Sequence, residues 1–206
     1  MDNYAYIIAS MPVLRPDDDK ADKADKLDAQ GLLDEIREQL SARDAAVFDQ
    51  LLEGYDPEKL DAEFYRKALQ HRNRFIRDWF RFDLNLRNLT VSYINDSLGR
   101  QEGQDQVKLE GQETEEFPEA VAAREVLNCG DILARERGLD ELRWKKIDDL
   151  TVLDSLDLEV VLGFVAKLKI IDRWLQLDPD SGRALFRRLV EDIRSTYDNK
   201  KQNLTI

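Results

Sequence analysis

One cysteine and one histidine stand among 206 residues, and the scarcity of both removes whole classes of chemistry. Cys129 has no partner for an internal disulfide, which points to a reducing compartment. With no base nearer than a remote histidine it reads as a buried apolar thiol, not a nucleophile. His71 has no Asp or Glu at metal-ligand spacing and reads as a solvated side chain. G-x-x-x-x-G-K-[ST], G-x-G-x-x-G, H-E-x-x-H and C-x-x-C are all missing, so no motif marks a phosphate loop, a dinucleotide site, a zinc protease or a redox pair. Long apolar runs are missing too. Past the first residues the longest, Val160 to Ala166, falls far short of the roughly 20 residues that span a bilayer. The opening run Tyr4 to Leu14 is apolar enough for a signal core but is preceded by Asp2 and no Lys or Arg, so the positive flank is absent. A soluble, cytoplasmic protein with no cofactor is expected.

Charge is what the chain has in quantity: 43 acidic against 31 basic residues, net −12, with 36% charged and 42% hydrophobic residues. That much apolar content suits a folded, helix-leaning chain and not a disordered one. The acidic excess repels nucleic acid and anionic lipid alike. The run "RPDDDKADKADKLD" opens like a calcium loop at Asp17 and Asp19. The sixth place is Asp22, not glycine, and the twelfth is Asp28, not glutamate, so it reads as a solvated linker.

Helical signals fill most of the rest. Tyr4 to Leu14 fits either a short strand or a helix stopped by Pro12, and periodicity leaves both open. Leu32, Leu33, Ile36 and Leu40 share one face; Val47, Phe48, Leu51 and Leu52 share another on a helix after Ser41. Asp56-Pro57-Glu58 combines a cap, a first-turn proline and an acid at the positive end of the dipole. Neither proline nor glycine then occurs before Gly99, which predicts one helix over 57–98, roughly 60 Å long at 1.5 Å per residue. The polar stretch 101–116 reads as a flexible connection, dividing the chain into an N-terminal half, 1–100, and a C-terminal half, 117–206. Further helices are expected at 118–128, 132–137, 139–150, 156–176 (capped by Asp154-Ser155) and 180–197. The expected fold is all-α, an elongated bundle of long antiparallel helices, with the long one packed against the last two.

Within the long helix, "WFRFDLNLRNL" alternates like a strand, but a 100° wheel accounts for far more of its surroundings. Tyr65, Leu69, Arg72, Ile76, Trp79, Asp83, Leu86, Thr90 and Tyr93 form one apolar stripe. Lys67, His71, Arg74, Arg77, Arg81, Asn85 and Asn88 lie opposite. Asp83 in the apolar stripe needs a partner, most simply Arg87 at the favourable i,i+4 spacing, with Arg72 on the same side. Buried so, the pair would fix how helices pack, and Asp83→Ala would strand an arginine at a cost of roughly 3–5 kcal/mol. A carboxylate serving binding or catalysis is the competing reading. The basic stripe of Arg74, Arg77 and Arg81 suits acidic helices of the same chain or a partner better than nucleic acid. Trp79, Trp144 and Trp174 read as core.

"FIRDWFRFDLNLRNLTVSYI" (Phe75 to Ile94) resembles the signature helix of the C (or d) subunit of V-type and archaeal-type ATPases. There an aromatic-rich helix runs into an acid, Leu and then Asn-[Leu/Ile], here Asp83, Leu84, Asn88 and Leu89. "YAYIIASM" is similar to that subunit's opening segment, and "LGFVAKLKIIDRWLQL" to its late helix. An uncharacterised bacterial family encoded beside V-type ATP synthase genes is a nearer resemblance. The chain is much shorter than the usual C subunit, and Lys169 and Asp172 stand where that family tends to have Glu and Asn. The resemblance implies a non-catalytic central-stalk subunit whose partners are the rotor shaft and the membrane ring. It implies no nucleic acid, no direct lipid binding and no small-molecule substrate, and membrane association only through the complex. It makes Asp83, Leu84, Asn88 and Leu89 interaction candidates, and Arg87 as the partner of Asp83 and Arg74, Arg77 and Arg81 of the basic stripe join them on the reading of the helix itself. A free-standing helical adaptor and a carboxylate-dependent hydrolase are the alternatives.

Overall fold

The computed structural model describes residues 4–18, 27–109, 117–153 and 156–177. Among them every regular element is an α-helix: α1 (Tyr4–Ser10), α2 (Ala29–Gln39), α3 (Ala42–Glu53), α4 (Ala62–Leu69), α5 (Arg74–Leu98), α6 (Ala120–Leu127), α7 (Ile132–Thr151) and α8 (Leu158–Leu175). The expected all-α class is what the chain adopts, and of the two readings of Tyr4 to Leu14 the helix is the one present. Expected features at 19–26, 110–116, Asp154-Ser155 and 180–197 lie outside the described residues.

The long helix does not run unbroken from Pro57. Residues 57–59 form a turn, in which Asp56 accepts the Glu58 N–H on Oδ1 at 3.1 Å and the Lys59 N–H on its carbonyl at 3.1 Å. The helix begins only after Asp61, whose Oδ1 accepts the Phe64 N–H at 2.8 Å. It stops at Leu69, and α5 starts afresh at Arg74. Asn73 makes that restart possible: its Oδ1 accepts the Ile76 N–H at 3.1 Å while its own N–H donates to His71 Nδ1 at 3.0 Å. Such side-chain bonds offer the backbone an alternative to continuing the helix. His71 is thus half-buried and bonded, not solvated as expected. Burial, with Lys67 and Arg77 nearby, holds its imidazole below the usual histidine range.

The break lets α4 fold back along α5. In a straight helix Tyr65 and Asp83 would stand about 27 Å apart; here Tyr65 Oη donates to Asp83 Oδ2 at 2.7 Å. Phe64 meets Phe80 edge-on with ring centroids 4.9 Å apart, a favourable arrangement of aromatic quadrupoles. The apolar stripe read along 65–93 is therefore covered in part by its own other end.

A second difference runs the opposite way. The helices expected at 132–137 and 139–150 are one, and Gly138 sits inside α7. A Cβ there would lie 2.8 Å from Val126 Cγ1, so glycine permits α6 to approach α7 closely. That offsets the roughly 1 kcal/mol helix cost of the residue.

The core gathers on α8, which is buried nearly all round: Val161, Leu162, Val165, Ala166 and Leu168 are fully enclosed. It is packed by α1, α2, α3, α5 and α7. A helix apolar on every face must be central, which explains why Val160–Ala166 is the longest internal apolar run. Its cap is Asp157, accepting the Val160 N–H at 3.3 Å. Trp79, Trp144 and Trp174 are buried as expected. Cys129, expected buried, is only half-buried at the end of α6.

Candidate functional site

Asp83 lies 5% exposed in the middle of α5, where an unpaired carboxylate would be costly. Its Oδ2 accepts from Arg87 Nε at 2.6 Å and from Tyr65 Oη at 2.7 Å. The expected i,i+4 pair is present. The other candidate partner, Arg72, lies exposed near the 70–73 break, and the tyrosine, eighteen residues away in sequence, takes its place. Arg87 is only partly buried: its side chain is 44% exposed against 7% for Asp83. Burial alone would lower the Arg87 guanidinium, but the Asp83 carboxylate holds it above its ordinary value. Burial, and then the Asp83 charge, push the Tyr65 phenol well above the tyrosine range, and Tyr55 moves the same way for the same reasons.

The neighbouring motif residues work on the backbone. Asn88 donates from Nδ2 to the Val107 carbonyl at 2.8 Å and accepts the Val107 N–H on Oδ1 at 3.0 Å, while Gln106 Nε2 donates to the Asn88 carbonyl at 3.1 Å. Asn95 Nδ2 donates to the Gln104 carbonyl at 2.7 Å. Residues 104–107, expected to be a flexible connection, are thereby pinned along α5. Leu84 is buried and Leu89 packs against the core from its edge. Of the basic stripe, Arg74 donates to the Leu150 carbonyl at 3.1 Å, where α7's last carbonyls need donors. Arg77 and Arg81 flank Asp78 at 3.3 and 3.5 Å. That stripe meets its own helix and α7.

A second buried carboxylate, Asp140 on α7, was not singled out from the sequence. It is 6% exposed, and it accepts from Trp174 Nε1 at 2.6 Å, Arg143 Nη1 at 2.9 Å, and Arg173 Nη2. The signal was available, since Asp140 adjoins the apolar positions Leu139, Trp144 and Ile147, with Arg143 one turn later, as Arg87 follows Asp83.

Asp83 and Asp140 face one cleft of about 300 Å³ between α5, α7 and α8. Its walls bring together four cations, Arg87, Arg143, Lys169 and Arg173, with three carboxylates, the third being Asp172. Lys169 Nζ donates to Asp172 Oδ2 at 2.9 Å, so the two positions that depart from the C-subunit pattern both line this hollow. Gly54 forms part of its floor against Phe80, where a Cβ would overlap the ring. Among the described residues no group of three His, Cys, Asp or Glu side chains is arranged to hold a metal, and no helix is long and apolar enough to cross a membrane.

No curated protein and no solved structure matches the chain. A family match does exist and begins at Asp56, just ahead of α4, running through residue 196; it takes in the α4–α5 brace, the pinned loop and the cleft's charged residues alike. With more than half of its length covered, the chain belongs to the family described as "Protein of unknown function (DUF2764)".

Proposed function

We propose that this chain is a non-catalytic component of the central stalk of a V-type ATP synthase, the counterpart of its C (or d) subunit, joining the rotor shaft to the membrane ring. The observation that carries the reading is the use made of the signature residues. Asp83 ties α4 to α5, Asn88 ties residues 104–107 to the same helix, and Leu84 and Leu89 pack inward. The segment that resembles the C-subunit helix spends its polar atoms on bracing a scaffold, as a socket would require. The acidic surface meets basic shaft or ring surfaces by complementarity and not through lipid. Copurification tests it: the protein should leave salt-washed membranes with the soluble-sector subunits, and its absence from the purified complex would refute the assignment.

The cleft beside Asp83 favours a second reading, a carboxylate-dependent hydrolase. Against it, Asp83 Oδ2 and both oxygens of Asp140 already accept from fixed arginine, tyrosine and tryptophan donors. A general acid or base needs a carboxylate within reach of a substrate proton. Hydrolysis of any ester or glycoside panel member that is abolished by Asp172→Asn, the outermost of the three acids, would turn the assignment to this reading.

A further inference from the structure

The cleft between α5, α7 and α8 has an imbalance that bracing alone does not require. Asp83 spends one Arg87 donor, Nε, and Asp140 spends one Arg143 donor, Nη1. An arginine carries five N–H donors in a planar fork, so each keeps most of its hydrogen-bonding capacity after orienting its guanidinium. Both arginines line the 300 Å³ cleft and also an adjoining hollow of about 340 Å³ walled by Tyr65, Asn88 and Leu139. They stand where the two spaces meet. Arg143 is only 20% exposed on its side chain, so its guanidinium is sheltered within the cleft walls. Lys169 and Gln176 complete the wall with Nζ and Nε2, each bonded to Asp172 at 2.9 Å.

In the cleft four cations meet three carboxylates, and Asp105 and Glu136 on the wall of the adjoining hollow raise the carboxylates to five against the same four cations, so the site rests on the unused donors of the two arginines and not on an excess of positive charge. The buried acids orient the arginines without using up their forks, as partners behind a binding residue do in metal and anion sites. We propose that this cleft is a binding site for a small oxyanion, a phosphate- or carboxylate-bearing molecule whose anionic group is held between Arg87 and Arg143. Fork-shaped donors match both groups in a bidentate way, and the combined space is in the range of ordinary ligand pockets, about 300–1,000 Å³. The site is independent of assembly into a stalk, so it stands or falls apart from that reading.

Arginine Nε–Hε resonances of the full-length protein, followed at constant ionic strength during titration with inorganic phosphate and separately with succinate, test the proposal. The expected result is saturable movement of the Arg87 and Arg143 signals with one or both anions, the tighter of the two naming the natural group. Arg143→Lys, which keeps the charge and loses the fork, should weaken binding by about tenfold, the worth of one charge-assisted bond. Should that variant fold poorly, Lys169→Met on the outer wall should still weaken it several-fold. Arg37, bonded to Asp49 on the exposed faces of α2 and α3, serves as the control and should not respond. Linear, unsaturated shifts shared by Arg37, or unchanged affinity in the folded variants, would overturn the site.

Discussion

At the scale of single residues, the brace on α5 is asymmetric. Asp83 is the enclosed partner and Arg87 the half-exposed one, so the expectation that Asp83→Ala strands a buried arginine is reversed. Removing Asp83 frees an arginine that can reach water and leaves the enclosed Tyr65 hydroxyl without its acceptor, a loss of about 1–3 kcal/mol. Removing Arg87 leaves a buried carboxylate with only the tyrosine, which should cost about 3 kcal/mol or more. Thermal melts should therefore rank Arg87→Ala below Asp83→Ala, and the opposite order would dismiss the account.

The Tyr65 phenol makes a second test. Its folded pKa is raised, so its contribution to stability is complete below about pH 10 and declines as pH climbs beyond that value, where the unfolded chain binds fewer protons. Absorbance at 295 nm should show two of the six tyrosines, Tyr65 and Tyr55, ionising only on unfolding, and Tyr65→Phe should halve that delayed step. Asp83 and Arg87 were legible in the sequence because their contact is local, one turn of helix. Tyr65 as the third member was not, because it depends on a reversal of chain direction that no i,i+4 rule contains. Asp140 was legible by the same local rule and was overlooked among abundant acids.

The elements tell a similar story through their ends. Helix existence and type followed from apolar periodicity, and α2, α3, α6 and α8 lie close to where it placed them. The boundaries that failed were decided by side-chain oxygen atoms and close packing. Asp56-Pro57 carries every start signal yet makes a turn, and Asp61, a few residues on, is the working cap. No glycine or proline marks 70–73, so the break there rests on Asn73 alone among the obvious punctuation. Asn73 also donates from Nδ2 to Glu159 Oε1 at 2.9 Å on α8. Asn73→Ala should lose the cap of α5 and that tie together, about 1–2 kcal/mol, while Asn73→Asp should keep the cap and lose the tie. Denaturant midpoints of the two variants separate the contributions. If Asn73→Ala melts like the parent, the break is held by tertiary packing instead.

Seen whole, the molecule is organised around α8, not around the long helix that the sequence made its backbone. Among the described residues five helices pack on α8, and opening its hydrogen bonds requires parting most of the core there. Amide exchange should therefore be slowest along Val161–Ile171 and faster in α1 and α4, in line with the general dependence of protection on buried contacts. Fastest exchange in α8 would contradict the architecture.

Under the proposed stalk role, in which the body would carry torque, the reversal at 70–73 has a mechanical meaning. A continuous helix resists twist through its ladder of backbone hydrogen bonds, one spine from end to end. Here the spine is interrupted, and a couple applied at the Leu98 end of α5 reaches α4 by shear across the Tyr65–Asp83 bond and the Phe64–Phe80 ring edge. A short rod fixed along the side of a longer one stiffens that stretch in bending, while the compliance of the pair in twist is set by the side-to-side joint. The same phenol and carboxylate that govern stability would then also set how far the body winds before it turns.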